Sequence, residues 1–422
     1  MRRKQKCDTI KYPTCRADTA DLDSQRTSAH LDQVNLYPCL FWSKNGEHLT
    51  GCGVRGGCHD TLSIRRLQYV PLWAIPVFFL YAMRRVNCPS CGIKVEAVPF
   101  VEGKKHVCRS FEWFLAGWAK HLSWKQTAVL FRTNWRTVFR AVESAVKWGR
   151  AHLVVGDVGV IGVDELSCGR GQKYLTVVYQ LDVGVRRLLW VGRDRTKATI
   201  GGFFDWLGPT ASKNLRAVCS DLWKPFLTVV AKRASAAIHV LDPFHIAMKL
   251  SEATDKVRRE EVHRLRANGQ EPILKDSRWC LLRRPKNRTR KDKLKLRELL
   301  QYNLRSVRCM LLRWQFDSFW EYRSAAWAGR FLDDWCRTVN RSKIEPMKKV
   351  VRTLQSHRSY LLAWIRLKAA GGIPTGAVEG FNNKARGITR RAYGFRSREI
   401  MEVALYHSLG KLPEPIVTHR FW

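Results

Sequence analysis

Three acidic residues stand where acids are costly unless something makes use of them. Asp164 follows the apolar run Val158–Val163, which reads as a strand buried on both faces. Asp221 closes a second apolar run, LRAVCSD. Glu379 lies near the start of a helix-patterned segment, with Asn383, Arg386 and Arg390 at i+4, i+7 and i+11 on the same face. A carboxylate on a buried strand is unfavourable unless a partner compensates it. Two Asp and one Glu converging on a point repel one another until a cation neutralises them. Hard oxygen ligands of this kind select Mg²⁺ or Mn²⁺. Two such ions about 3.5–4 Å apart activate a water or a 3′-hydroxyl and stabilise the leaving oxygen in phosphodiester transfer. Each acid also has an ordinary role open to it. Asp164 can cap a turn, and Glu379 can complement a helix dipole. Asp242, at a further strand end, reads first as the N-cap of the helix after Pro243.

The elements that must position these acids follow in order. Gly169 and Gly171 supply a turn after the first strand, and Tyr174–Tyr179 forms the second. Arg187–Val191 reads as a third strand, Thr196–Leu207 as a helix and Leu215–Asp221 as a strand. A helix over Trp223–Ala234 and a strand over Ala237–Asp242 come next, with Pro243, Phe244 and His245 at the entrance of another helix. Strand-strand-strand-helix-strand-helix-strand is the order of an RNase-H-like α/β core. In that order Asp221 ends the fourth strand, where it can approach Asp164 on the first. From His245 to about residue 370 the chain is basic and helical. Phe316 with Trp320, and Trp327 with Phe331 and Trp335, form aromatic stripes at helical spacing that read as core. The charge run Arg283–Arg297 faces solvent or contacts phosphate. The expected catalytic domain covers 157–410, with a large helical insertion at about 265–370.

Three segments precede it. Residues 1–45 are polar and without periodicity; they are expected to be poorly ordered, and no function attaches to them. Residues 46–108 carry a CxxC knuckle, Cys88-Pro-Ser-Cys91-Gly92, and upstream a Cys52-Gly53 pair. Strands are expected at Leu62–Arg66 and Val70–Met83. A zinc ribbon brackets such a hairpin with two knuckles, giving four soft ligands in a tetrahedron. Here the first knuckle has Leu49 three positions before Cys52, leaving His48 or Cys58 as candidates for the fourth ligand. The alternative is a ribbon that has lost its metal. Residues 109–150 read as three helices: Phe111–His121, Trp124–Phe131 capped by Ser123, and Trp135–Trp148 capped by Thr133 or Asn134. Ala128 sits where a helix-turn-helix needs a small residue. Val138 and Val142 face inward, while Arg136, Thr137 and Arg140 point away and reach toward DNA. The competing reading is a plain three-helix unit.

The chain has 422 residues, and 75 Lys and Arg against 36 Asp and Glu give a net charge of +39, the footprint of a long polyanion partner. The most apolar stretch, Tyr69–Met83, contains Pro71 and Pro76 and is too short to span a bilayer. Met1–Cys15 lacks the apolar core of a signal peptide. The 13 cysteines are odd in number and scattered, which suits a reducing cytoplasm rather than a disulfide scaffold.

Several motifs together resemble one family. IGVDELS with KYLTVVYQLD, then CSDLWKPF, VLDPFHIAMKL, SRWCLLRRP, FWEYRSAAWAGRFLDDW and GAVEGFNNKARGITRRAYGF are similar to the ISL-three family of bacterial insertion-sequence transposases. The resemblance runs from about Cys52 to the C-terminal HRFW. It implies a DDE transposase with an RNase-H-like catalytic domain, preceded by a zinc-ribbon and helix-turn-helix region that binds terminal inverted repeats. Motif by motif, it places the catalytic, Mg²⁺- or Mn²⁺-binding acids on Asp164, Asp221 and Glu379. It implies zinc on Cys52, Cys88 and Cys91, and double-stranded DNA, both element ends and target, as the partner. Lys384, Arg386, Arg390 and Arg391 of the last motif join Arg136, Thr137 and Arg140 as expected DNA contacts. A homo-oligomer on DNA in the bacterial cytoplasm, associated with the nucleoid, is also expected. The sequence departs from the family at LTGC, where the first CxxC is reduced. Two alternatives remain: a catalytically inactive, sequence-specific DNA-binding regulator, which the intact acids oppose, and a structure-specific nuclease on the same fold, which the end-binding module opposes.

Overall fold

A computed structural model describes residues 35–38, 47–49, 52–168, 174–221, 223–269, 273–369 and 376–415. The chain divides into two compact units, Met1–Arg109 and Ser110–Trp422. Most of segment 1–45, and the turn expected at Gly169 and Gly171, lie outside the described residues.

In the first unit, β1 (Asn35–Pro38), β2 (Glu47–Leu49), β3 (Arg55–Leu72), β4 (Ile75–Cys88) and β5 (Gly92–Val95) form one sheet. Its spine is the long antiparallel hairpin of β3 and β4. The strand expected at Val70–Met83 is cut by the hairpin turn at Trp73 and Ala74, which take φ of 47° and 63°. Neither residue type signals a left-handed turn, so the alternation of apolar residues ran through it unmarked. Leu67, Tyr81, Met83, Val98, Val101 and Cys108 make the core of this unit. Buried Glu96 accepts from the Tyr81 hydroxyl at 2.9 Å and from the Arg84 amide at 2.7 Å.

The second unit opens with α1 (Arg109–Trp118), α2 (Trp124–Leu130) and α3 (Trp135–Ala151). Ser123 and Gln126 form a capping box at α2, and Asn134 caps α3 by accepting from the Thr137 amide at 2.8 Å. Ala128, Val138 and Val142 are buried as their spacing required.

A mixed sheet follows, built from β6 (Val160–Ser167), β7 (Tyr174–Asp182), β8 (Val185–Gly192), β9 (Ala217–Ser220) and β10 (Ile238–Leu241) in the order β10-β9-β6-β7-β8. β6, β7 and β8 are an antiparallel meander, and β9 and β10 run parallel to β6. The crossovers are α4 (Lys197–Leu207) with α5 (Pro209–Lys213), and α6 (Lys224–Arg233). Their apolar faces, led by Phe203, Phe204 and Phe226, pack with Ile161, Val163 and Val178 of the sheet. Asp164 does not end its strand. β6 continues to Ser167, with Asp164 opposite Val177, because β7 offers an unbroken pairing partner.

The 25-residue α7 (Pro243–Ala267) leads into α8 (Arg278–Leu282), α9 (Arg290–Leu299), α10 (Arg305–Asp317), α11 (Ala325–Arg341), α12 (Glu345–Ser356) and α13 (Arg358–Ala369). Trp335, Phe316 and Phe319 centre this helical body. Trp327, expected in the same stripe, is 60% exposed with Arg330 over its ring. Eight residues at about 100° each leave it some 80° off the face of Trp335. The run Arg283–Arg297 is only partly a solvated face. Arg283 pairs with buried Asp292 at 2.6 Å, and Arg288 lies 4.0 Å over the Trp314 ring. Finally α14 (Gly376–Arg391) returns to pack on β6 and β7, and α15 (Arg398–Leu409) packs on β8 and α3. Among the described residues no helix is long and apolar enough to cross a membrane.

Candidate active site

Asp164 on β6 and Asp221 after β9 come side by side where the pairing of these parallel strands runs out, and α14 packs on β6 and β7. Asp164 is buried within β6, and its Oδ1 accepts from the Glu165 amide at 2.7 Å. Asp221 follows the last residue of β9. One imidazole spans the two: His245 Nε2 is 3.8 Å from Asp164 Oδ1, and Nδ1 is 3.4 Å from Asp221 Oδ1. His245 sits in the first turn of α7, and Asp242 caps that helix by accepting from the Phe244 amide at 2.9 Å. The capping role expected of Asp242 is therefore observed, and its carboxyl also sits within electrostatic reach of Asp164 and Glu379.

α14 brings Glu379 to this place through a close helix-to-strand approach. A Cβ on Gly162 would stand 2.6 Å from Cγ2 of Val378 and 3.0 Å from Cδ1 of Leu181. Only glycine at 162 admits the first turn of α14 against β6, two residues from Asp164 and one from Glu379. One turn on, Asn382 donates from Nδ2 to Oδ2 of Asp164. Its Oδ1 accepts from the Tyr179 hydroxyl at 3.1 Å, and the Tyr179 ring stacks on Phe381 with centroids 4.7 Å apart. Tyr179, Asn382 and Asp164 are all buried. The helix that carries Glu379 thus also holds the second oxygen of Asp164. Glu379 itself receives Arg386 at 3.2 Å, and Arg386 bonds Asn383 Oδ1 at 3.1 Å.

The electrostatics are those of crowded, desolvated acids. Burial raises the Asp164 carboxyl above its ordinary range, against the Glu165 amide and His245, which favour the charged form. Burial pushes Asp242 up to about 6, with Asp164 and Glu379 adding to the rise. Glu165 points to the other side of the strand, against Arg195, and burial pushes it to about 7 despite that partner. Arg195 is sandwiched by Trp223, 4.7 Å from its ring centroid, and Tyr174, so the segment after Asp221 is pinned to the sheet. Such a cluster gains from a cation, and its donor set is all oxygen with one imidazole.

A family model described as a transposase, of the ISL3 group, matches residues 161–405. The chain belongs to the ISL-three (ISL3) transposase family. It is 28% identical over 352 residues to the transposase for insertion sequence element IS1001 of Bordetella parapertussis, covering 82% of this chain and 85% of that protein. It is 29% identical over 378 residues to the transposase for insertion sequence element IS1557 of Mycobacterium tuberculosis, covering 83% of each.

The residues of the transposase expected from sequence to contact DNA fall into two sets. Arg136 and Arg140 are exposed on α3, while Thr137 is half-buried beneath its cap. On α14, Lys384, Arg386, Arg390 and Arg391 are exposed. Arg386 is engaged with Glu379, and Arg391 donates to the His121 carbonyl at 2.9 Å, bracing α14 against the helical module. His245, Asn382 and Tyr179 were not assigned to the site from sequence. The signal available for Asn382 was its place three residues after Glu379, on the side of the helix facing the sheet.

In the first unit, Cys52, Cys88 and Cys91 bring their sulfurs within 4.8 Å of one another, with Cys52 and Cys88 at 3.6 Å. The Ser90 hydroxyl, 3.3 Å from the Cys88 sulfur, holds that thiol down to about 6. Three converging soft ligands on a CxxC turn suit zinc. Cys58 is outside this cluster, with its Sγ 3.5 Å from the Asp60 carbonyl. The side chain of His48 lies outside the described residues; its backbone pairs with Gly56 in the sheet.

Proposed function

We propose that this transposase is a DDE enzyme that cuts and joins DNA at the ends of its element, using Asp164, Asp221 and Glu379. The observation that carries the proposal is α14: its close approach at Gly162 sets Val378 and Asn382, which flank Glu379 on the helix, against the strand of Asp164, with Glu379 in electrostatic reach of Asp242. The sheet order β10-β9-β6-β7-β8, with an antiparallel meander and two parallel strands, supports an RNase-H-like core. The acids then lie at its carboxyl-end crevice, where open α/β sheets hold ligands. Asp164, Asp221 and Glu379 would hold Mg²⁺ or Mn²⁺, which when bound activates a water or 3′-hydroxyl and stabilises the leaving oxygen. Asn382 and the Glu165 amide orient Asp164 by holding its two oxygens. Arg386 compensates the charge of Glu379, and its half-exposed guanidinium lies on the face of α14 that would meet a phosphate. Asp242 fixes the start of α7 and so the imidazole between Asp164 and Asp221.

The three helices of residues 109–150 serve in this proposal as a helix-turn-helix. Arg136, Thr137 and Arg140 on α3 read the terminal inverted repeat, and the basic face of α14 follows the DNA backbone. Residues 46–108 form a zinc-ribbon-like unit, residues 157–410 the catalytic domain, and the helical body an insertion within it. Transposition joins two ends, so a homo-oligomer assembled on DNA is expected, inside a bacterial cell. Replacing Asp164 or Asp221 by Ala should abolish cleavage of repeat-ended DNA while a gel shift still shows end binding. Cleavage surviving both substitutions would end the assignment.

A further inference from the structure

At the far end of α14 a groove of about 1250 Å³ opens between the outer face of α2, the start of α3 and the loop 392–396. We propose that this groove binds a short stretch of unpaired single-stranded DNA, independent of sequence.

The lining has two parts. Val129, Leu130, Trp135 and Phe395 give it an apolar and aromatic wall, and three of them are large side chains left about half exposed or more: Val129 73%, Leu130 56% and Trp135 47%. Lys125, Arg390, Arg391 and Arg396 supply cations, and no carboxylate lines the groove. Tyr393 stands at its rim. It is fully exposed and holds φ of 54° just past the end of α14, immediately before Gly394. This left-handed backbone closes α14 in a Schellman cap, with the Tyr393 amide donating to the Arg390 carbonyl at 3.0 Å and the Gly394 amide to the Thr389 carbonyl at 2.9 Å, at a position where glycine is the usual residue. The cap needs only the backbone of Tyr393, and the ring, wholly exposed beside the cationic lining, is free to stack on a ligand.

The chemistry selects the occupant. Phosphates need the cations but gain nothing from an apolar wall. In a duplex the base faces are stacked on one another and cannot use the wall either. Unpaired bases offer flat faces for Trp135, Tyr393 and Phe395 while their phosphates meet the cations, the pairing by which single strands are held without sequence preference. An acidic amphipathic peptide is the competing occupant. Position favours DNA. The exposed basic face of α14 runs from Glu379 to Tyr393, about 20 Å along one helix, and joins the candidate active site to the groove. This deepens the proposed function and rests on it: the strand held here is one that leaves the cleaved end unpaired.

The test uses full-length protein without added Mg²⁺ and measures anisotropy of a labelled 12-nucleotide oligo(dT), set beside a repeat-end duplex. Tyr393→Asn keeps a residue that tolerates the left-handed conformation and removes the ring. It is expected to weaken oligo(dT) binding roughly 5- to 150-fold and to leave duplex binding within twofold. Leu130→Gln, a change on the surface of α2, is expected to weaken oligo(dT) binding severalfold and spare the duplex. Cross-linking of bromouracil-substituted oligonucleotide should map to the segment 393–396. Unchanged oligo(dT) affinity in both variants would overturn the proposal. So would equal losses on duplex and single strand, which describe a general cationic surface, or displacement of bound oligo(dT) from wild type only by unlabelled duplex and never by unlabelled single strand. Preferential binding of an acidic amphipathic peptide, lost in Tyr393→Asn while oligo(dT) binding is kept, would assign the groove to a protein partner. Cleavage by wild-type protein is read separately, so a failure of the catalytic assignment leaves these binding results intact.

Discussion

Removing the Tyr179 hydroxyl is the mildest perturbation of the site. Tyr179→Phe keeps the ring stacked on Phe381 and takes away one hydrogen bond, leaving Asn382 Oδ1 buried without a donor. An unsatisfied buried acceptor costs about 1–2 kcal/mol. Asn382→Ala goes further, since Tyr179 Oη and Asp164 Oδ2 both lose their partner at a position 1% exposed. Adding a small cavity, the loss is about 2–4 kcal/mol. Stability alone would not show that Asn382 orients Asp164. The function-specific readout is the Mg²⁺ dependence of repeat-end cleavage at a temperature where each variant is fully folded. Losing a partner that orients a metal ligand typically lowers metal affinity or activity about 10–100-fold. Asn382→Ala should therefore need that much more Mg²⁺ for half-maximal cleavage, Tyr179→Phe should fall between it and wild type, and excess Mn²⁺ should rescue both in part. Chemical denaturation supplies the stability scale. If both variants lose the expected stability but keep the wild-type Mg²⁺ midpoint, the Tyr179–Asn382–Asp164 chain is structural only.

Three further outcomes follow from the same geometry. Gly162→Ala would drive a methyl into Val378 and Leu181, so a loss of about 1–3 kcal/mol is expected with cleavage reduced more than DNA binding; unimpaired cleavage would show that α14 need not approach so closely. Asp242, raised to about 6 by burial, stabilises the fold only while it keeps its proton, so its contribution is present at low pH and is lost as pH rises toward 6. Half-buried His239 and buried His407, lowered to about 4 and about 3 by desolvation, act in the opposite direction, so the informative quantity is a difference. Asp242→Asn, which still caps α7, should gain stability over wild type as pH rises from 4 to 7 without Mg²⁺, by of order 2 kcal/mol, and thermal melts showing a flat difference would contradict the burial argument. Purified protein should carry about one zinc per chain by elemental analysis, retained in Cys58→Ser and lost in Cys88→Ser or Cys91→Ser; natively folded protein without zinc would mark a ribbon that has lost its metal.

Much of this architecture was legible because burial writes itself into strands. The runs around Val160, Val177 and Val218 are apolar on both faces, and their order along the chain gave the sheet its sequence of elements before any contact was known. Caps were equally readable, since Ser123 and Asn134 are of the types that satisfy orphan amides. The turn at Trp73–Ala74 was not legible, because left-handed backbone there is imposed by the pairing of β3 with β4 and not by residue type. Trp327 misled because i, i+4, i+8 spacing drifts around a helix. Within the candidate site, Asp164 could be picked out as a lone acid on an apolar strand, Asp221 from its strand end, and Glu379 from its helix pattern. His245 and Asn382 could not, because their roles depend on two elements far apart in sequence meeting at one carboxylate. The close approach at Gly162 is of the same kind: a glycine in a strand says that something comes near, and only the fold says that it is Val378.

The central claim is that Glu379 completes a catalytic set with Asp164 and Asp221. The direct measurement is strand transfer of labelled repeat ends into target DNA, comparing wild type with Glu379→Ala at matched DNA occupancy and in the presence of Mg²⁺. Strand transfer is expected to vanish in the variant while occupancy of the repeat is reached at the same protein concentration, and the double variant with Asp164→Ala is expected to be scarcely worse, since ligands of one site act as a unit. Undiminished strand transfer by Glu379→Ala would contradict the account and leave Glu379 as the partner of Arg386 at a helix start.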